Sequence, residues 1–74
     1  MNQKQLQYFL DCCETKNMQK TADRLFVSRQ GVSKMIRDLE TELGTPLFHR
    51  SQKGLEPKKF AFSLIPHARN LLDE

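Results

Sequence analysis

The chain is 74 residues long, with 28% charged and 38% hydrophobic side chains and a formal net charge of +3. That length supports one small domain with a single core, and the balance of apolar and charged residues excludes an acidic solvating tail and a disordered tract. The longest uncharged stretch, Phe60–Ala68, contains Ser63, Pro66 and His67, so the sequence offers no apolar span of ~20 residues to cross a bilayer. Met1–Leu10 carries one lysine followed by glutamines, not a basic run leading into an apolar stretch, so export is not expected and the cytoplasm is.

Asn2 is placed to cap a first helix over residues 3–14, with Gln5 three positions on to complete a capping box. Leu6, Phe9, Leu10 and Cys13 fall at i, i+3, i+4 and i+7, one apolar face that takes Cys13 inward as a small hydrophobe. Adjacent Cys12 and Cys13 make no disulfide scaffold, and neither His49 nor His67 stands at a spacing that would join them in a zinc site. No metal is expected. Asn17 caps a short second helix from Met18 to about Phe26, presenting Met18, Ala22 and Leu25 inward.

Ser28 caps a third helix that ends at Leu43, where Gly44 supplies a left-handed stop and Pro46 prevents resumption. Val32, Ile36, Leu39 and Leu43 share one stripe of this helix. Gln30, Ser33, Lys34 and Arg37 lie together about 140° away at 100° per residue. Leu47–Arg50 reads as a strand, Ser51–Gly54 as a turn and Leu55-Glu56 as the returning strand. From Lys58, Phe60, Leu64, Ile65, Ala68, Leu71 and Leu72 recur at helical spacing, with Pro66 bending the helix. This is more apolar surface than one small core absorbs.

Charge is segregated along the chain: Lys16–Arg37 carries +5, Asp38–Pro46 carries −3 and Leu47–Lys59 carries +3. A fold that brings both basic blocks to one face makes a dipole suited to a polyanion. A short helix, a tight turn and a longer helix with a cationic side form a helix-turn-helix, whose second helix enters the major groove while the first crosses the backbone. A basic hairpin after it is a wing, which would set Arg50 and Lys53 beside the groove, and Lys20 near the start of the second helix is expected to contact a phosphate. Arg24 and Lys16 are expected to be solvated or paired with Asp23 and Glu14, Tyr8 to pack, and His49 and His67 to lie at the surface. No nucleophile–histidine–carboxylate spacing, phosphate-cradling glycine loop or metal quartet is present, so neither an enzyme nor a cofactor is expected. The competing class is a winged helix used as a protein-interaction module, against which stand Arg29, Lys34, Arg37, Arg50 and Lys53.

Four strings carry a family resemblance: Leu6-Gln7-Tyr8-Phe9, Ala22-Asp23-Arg24-Leu25-Phe26-Val27-Ser28, Val32-Ser33-Lys34-Met35-Ile36-Arg37-Asp38-Leu39-Glu40 and Leu43-Gly44-Thr45-Pro46-Leu47-Phe48-His49-Arg50. In order and spacing, and together with the trailing Leu64-Ile65-Pro66-His67-Ala68-Arg69, they resemble the N-terminal DNA-binding domain of LysR-type transcriptional regulators over essentially the whole chain. The resemblance implies a mainly α winged helix-turn-helix: a three-helix bundle with a small β-hairpin wing, over residues 1–57. Residues 58–74 would begin a linker helix that makes a homodimer on a roughly two-fold-symmetric double-stranded operator. The recognition helix would be about 28–43 and the wing about 47–56. Carried over by position, Arg29, Gln30, Ser33 and Lys34 would face the major groove, Ser28 and Arg37 would hold phosphates, and Arg50 and Lys53 would serve the wing at the minor groove. Arg29 and Lys34 suit guanine O6 and N7, and Gln30 suits adenine. The family often has Gln-Pro-Ala where this chain has Arg29-Gln30-Gly31, which bears on base preference; Lys58 and Ala61 replace a common threonine and glycine. Family members also carry an effector-binding domain, which these residues do not include.

Overall fold

A computed structural model describes residues 1–73 as four helices and one hairpin, and Glu74 lies outside the described residues. Helix α1 (Gln3–Thr15) opens on the expected capping box: Asn2 Oδ1 accepts from the Gln5 N–H at 2.7 Å, and Gln5 Oε1 accepts from the Asn2 N–H at 3.0 Å. Helix α2 (Met18–Leu25) starts at Asn17, whose side chain accepts from the Lys20 N–H at 2.9 Å. It stops one residue earlier than the sequence suggests, because Phe26 adopts a left-handed cap at φ 57° and the Val27 N–H turns back to the Ala22 carbonyl at 3.0 Å. Helix α3 (Arg29–Leu43) is capped by Ser28, which accepts from the Gly31 N–H at 2.9 Å, and closed by left-handed Gly44.

After the three helices comes the hairpin of β1 (Phe48–Ser51) and β2 (Gly54–Pro57), antiparallel with Ser51 opposite Gly54 and Phe48 opposite Pro57. Its tip is Gln52-Lys53; β1 is shifted one residue on from the expected Leu47–Arg50, and β2 extends one residue past Leu55-Glu56 at each end. Gly54 is required here for two reasons: its φ is +123°, and a Cβ would lie 2.4 Å from the Lys16 carbonyl oxygen. That same oxygen accepts from the Leu55 N–H at 2.9 Å, which ties the hairpin to the α1–α2 junction.

Phe9, Cys12, Ala22, Val32, Ile36, Leu39 and Leu47 are completely buried, and the rings of Phe9 and Phe48 meet at 5.9 Å. Two inward assignments change. On α1 it is Cys12, not Cys13, that is fully buried, and Gln5 and Tyr8 are buried too. The reason is that α1 packs against α2 and α3 on one side and α4 (Lys59–Asp73) on another, so its covered face is wider than one stripe. On α2, Thr21 joins Ala22 in the interior, its hydroxyl 2.8 Å from that of Thr15, while Met18 and Leu25 are half-buried. Burial pushes the Cys12 thiol up to about 11 and the Cys13 thiol up to about 12.

Arg24 pairs with Asp11 at 3.1 Å and Glu14 at 3.5 Å, both on α1, and not with its neighbour Asp23, whose carboxylate accepts from Gln19. Successive residues of a helix point about 100° apart, which carries Asp23 away from Arg24. Ala61, Leu64 and Ala68 seat α4 on the core. Phe60, Phe62 and Leu71 are left 42%, 60% and 41% exposed, the surplus apolar surface the sequence implies. Among the described residues, no helix is long and apolar enough to cross a membrane.

Candidate nucleic-acid interface

Because Val32, Ile36 and Leu39 are fixed in the core, helical geometry turns Gln30, Lys34 and Arg37 to solvent, and Arg29 is exposed as the first residue of the helix. Ser33 is half-buried on the same side, beneath the hairpin. The hairpin rises beside the N-terminal half of α3, and between them opens a cleft of about 610 Å³. Arg29, Gln30 and Ser33 line one wall and Arg50 and Lys53 the other, with Asn17, Met18 and Gln19 from the start of α2 and Gln52 from the wing tip completing it. Among the described residues, no carboxylate lines this cleft. Low-dielectric walls carrying one sign of charge concentrate potential in the space between them, and here that sign is positive.

Two arginines from different elements meet over one hydroxyl. Arg37 Nη2 donates to Ser33 Oγ at 3.2 Å, and Arg50 Nη1 donates to the same oxygen at 3.3 Å. Arg50 also faces Glu40 Oε1 at 3.5 Å, whereas Arg37 has no carboxylate partner among the described residues. Lys34 pairs with Asp38 at 2.8 Å, but both side chains are largely in water, where such a pair is weak and readily exchanged for a phosphate or a base edge. Ser28 spends its oxygen on the α3 cap and keeps its hydroxyl proton free to donate.

Of the nine residues selected from the sequence, Arg29, Gln30, Ser33, Arg50 and Lys53 are brought together in the cleft, and Arg37 joins them through Ser33. Lys34 lies farther along the same helix face, Ser28 at its N-terminus, and Lys20 on exposed α2 outside the cleft lining. The sequence reading missed Glu40. It accepts at Oε2 from the backbone N–H groups of Leu47 at 2.7 Å and Phe48 at 3.4 Å, joining the base of the wing to α3. No local signal announces that bond, which spans seven residues and a turn.

The short helix α2, the tight turn, the long exposed-faced helix α3 and the adjoining hairpin define a winged helix-turn-helix. The family profile described as "Bacterial regulatory helix-turn-helix protein, lysR family" matches residues 3–59, and the chain belongs to that family. It is 39% identical over 67 residues to the HTH-type transcriptional regulator GbpR of Azospirillum brasilense, covering 90% of this chain and 20% of that one. It is 34% identical over 73 residues to TcbR of Pseudomonas sp. strain P51, covering 99% and 25%. The crystal structure of a CbnR_DBD–DNA complex superposes with a TM-score of 0.95 at 34% identity, over 99% of this chain and 84% of that one. A BenM_DBD/catB site 1 DNA complex gives 0.92 at 29% identity, over 99% and 82%. The chain thus spans about a fifth to a quarter of the length of the curated relatives it matches.

Proposed function

We propose that residues 1–57 form a sequence-specific double-stranded DNA-binding domain of a cytoplasmic transcription regulator, and that residues 58–74 begin its dimerisation helix. The observation that carries this reading is the carboxylate-free, cation-lined cleft between α3 and the wing, on a fold shared with DNA-bound relatives. An α-helix with its side chains is about 10–12 Å across and the major groove about 12 Å wide, so the exposed side of α3 enters as a unit. Arg29, Gln30, Ser33 and Lys34 then meet base edges, with Arg29 and Lys34 donating to guanine and Gln30 pairing with adenine. Ser28, Lys20 and Arg37 hold phosphates, and Arg50 and Lys53 bring positive charge to the minor groove and its flanking backbone.

The apolar side chains of Phe60, Phe62 and Leu71 left exposed on α4 support a homodimer, which places two recognition helices on a roughly two-fold-symmetric operator. The role is binding, not catalysis. An effector would act on a domain outside these residues.

Selection of binding sites from a randomised duplex library, followed by fluorescence anisotropy at rising salt, tests the reading. The expected result is an enriched, two-fold-symmetric sequence whose affinity falls linearly on a log–log plot with salt, with a slope set by the phosphates neutralised. An unenriched pool, or a protein partner whose binding ignores these cations, would falsify it in favour of an interaction module.

A further inference from the structure

We infer that Glu40 is a positioning residue for duplex recognition: it locks the wing onto α3 and holds the Arg50 guanidinium against Ser33, so that wing and recognition helix meet DNA as one rigid piece. The inference rests on the DNA-binding reading above. Ser33, Arg37 and Glu40 stand at i, i+4 and i+7 on one side of α3, the side over which β1 passes. The Glu40 carboxylate is only 16% exposed, with one oxygen toward the Leu47 and Phe48 N–H groups and the other 3.5 Å from Arg50 Nη2. The far side of that guanidinium, Nη1, reaches Ser33 Oγ.

A neutral amide would still accept from the Leu47 N–H, more weakly than a carboxylate does but without the penalty of desolvating a charge. What the amide cannot supply at all is the ionic hold on Arg50. A long, unrestrained arginine is drawn to the phosphates of any duplex, which raises affinity without information. Held by Glu40, the same arginine fixes the distance between the wing and the base-reading face of α3, so a duplex satisfies both only in the correct register. Glu40 also sets a negative charge beside Arg50, which lowers the attraction of the wing for duplex in general.

The test compares the selected duplex with a random duplex of equal length, in the wild type, in Glu40→Gln, in Arg50→Ala and in the double variant. Glu40→Gln keeps an acceptor for the Leu47 N–H and removes the hold on Arg50. The expected result is a fall of about fivefold in the selected-to-random affinity ratio, the size of a sound single ion pair, with random-duplex binding unchanged or tighter. In the Arg50→Ala background the same change is expected to move the ratio by less than about twofold, since coupled residues are not additive.

Equal falls in both backgrounds, or none in the wild type, overturn the inference, because Glu40 then acts through the wing backbone alone or not at all. Should Glu40→Gln fail to fold, nitrogen-15 relaxation of the wild-type arginine side chains decides the matter. The Arg50 guanidinium is expected to be markedly more ordered than that of Arg29, and equal mobility overturns the proposal. A wild-type chain that shows no salt-dependent preference for the selected duplex instead overturns the DNA-binding reading, and this inference with it.

Discussion

Replacing Gly54 by alanine removes the one residue that lets the wing sit against the bundle. The new Cβ would stand 2.4 Å from the Lys16 carbonyl oxygen, a backbone atom that cannot swing aside, and the residue would also have to hold φ near +123°. A backbone held in a region closed to side chains costs about 1–3 kcal/mol. Relief by withdrawal of the hairpin breaks the 2.9 Å bond from the Leu55 N–H to the same oxygen, about 1 kcal/mol more. The expected loss is about 2–4 kcal/mol. A domain of this length has a total stability of about 4–11 kcal/mol, so the melting temperature should fall by about 10 °C or more.

Gly44 provides the control, because it too has a positive φ, +75°, but nothing lies within 4 Å of where its Cβ would be. Gly44→Ala should therefore cost only the left-handed penalty, about 1 kcal/mol. Urea unfolding of both variants, followed by far-ultraviolet circular dichroism at unchanged m, measures the difference. Equal losses for the two glycines, or a loss under about 1 kcal/mol for Gly54→Ala, would refute the claim that contact with Lys16 fixes the wing.

Phe9→Ala should destabilise the domain by about 3–5 kcal/mol, since Phe9 is fully buried against Phe48 at the meeting point of bundle and wing; a denaturation curve close to the wild type would contradict that packing. Lys34→Ala should weaken binding to the selected duplex more than to random duplex, and Lys53→Ala should weaken both alike; equal losses for Lys34→Ala would remove it from base reading. The folded state favours the protonated thiols of Cys12 and Cys13, whose values rise from 9.0 to about 11 and about 12 mainly through burial. Their contribution to stability is thus complete below pH 9 and lost as pH climbs through those values, so the urea midpoint should fall across that window, and less so in Cys12→Ala. Phe62→Ser should shift the association equilibrium seen by ultracentrifugation toward monomer while leaving the monomer folded, as Phe62 is 60% exposed; unchanged dimer would move the interface elsewhere.

Much of this molecule could be read along the chain because the controlling interactions are local. The Asn2, Asn17 and Ser28 caps, the Gly44 stop and the apolar stripe of α3 each depend on residues three or four positions apart, and all are present. The cationic side of α3 follows from that stripe, since placing Val32, Ile36 and Leu39 inward leaves Lys34 and Arg37 no other direction. Where periodicity failed, long-range packing was responsible. Cys12 is buried completely and Cys13 only in part because α1 is covered by other helices, and Arg24 chose Asp11 over Asp23 because the partner came from another helix.

Sequence alone therefore determined the helices, their ends and the side of α3 that carries charge, all consequences of a 3.6-residue repeat and of caps that act over one turn. Only the tertiary structure decided how the wing stands on α3. That choice depends on the Lys16 carbonyl meeting Leu55, on Glu40 reaching the backbone of Leu47 and on Arg50 crossing to Ser33. These bonds join segments from 7 to 39 residues apart, and nothing in local spacing prescribes which distant groups will meet once the core has closed.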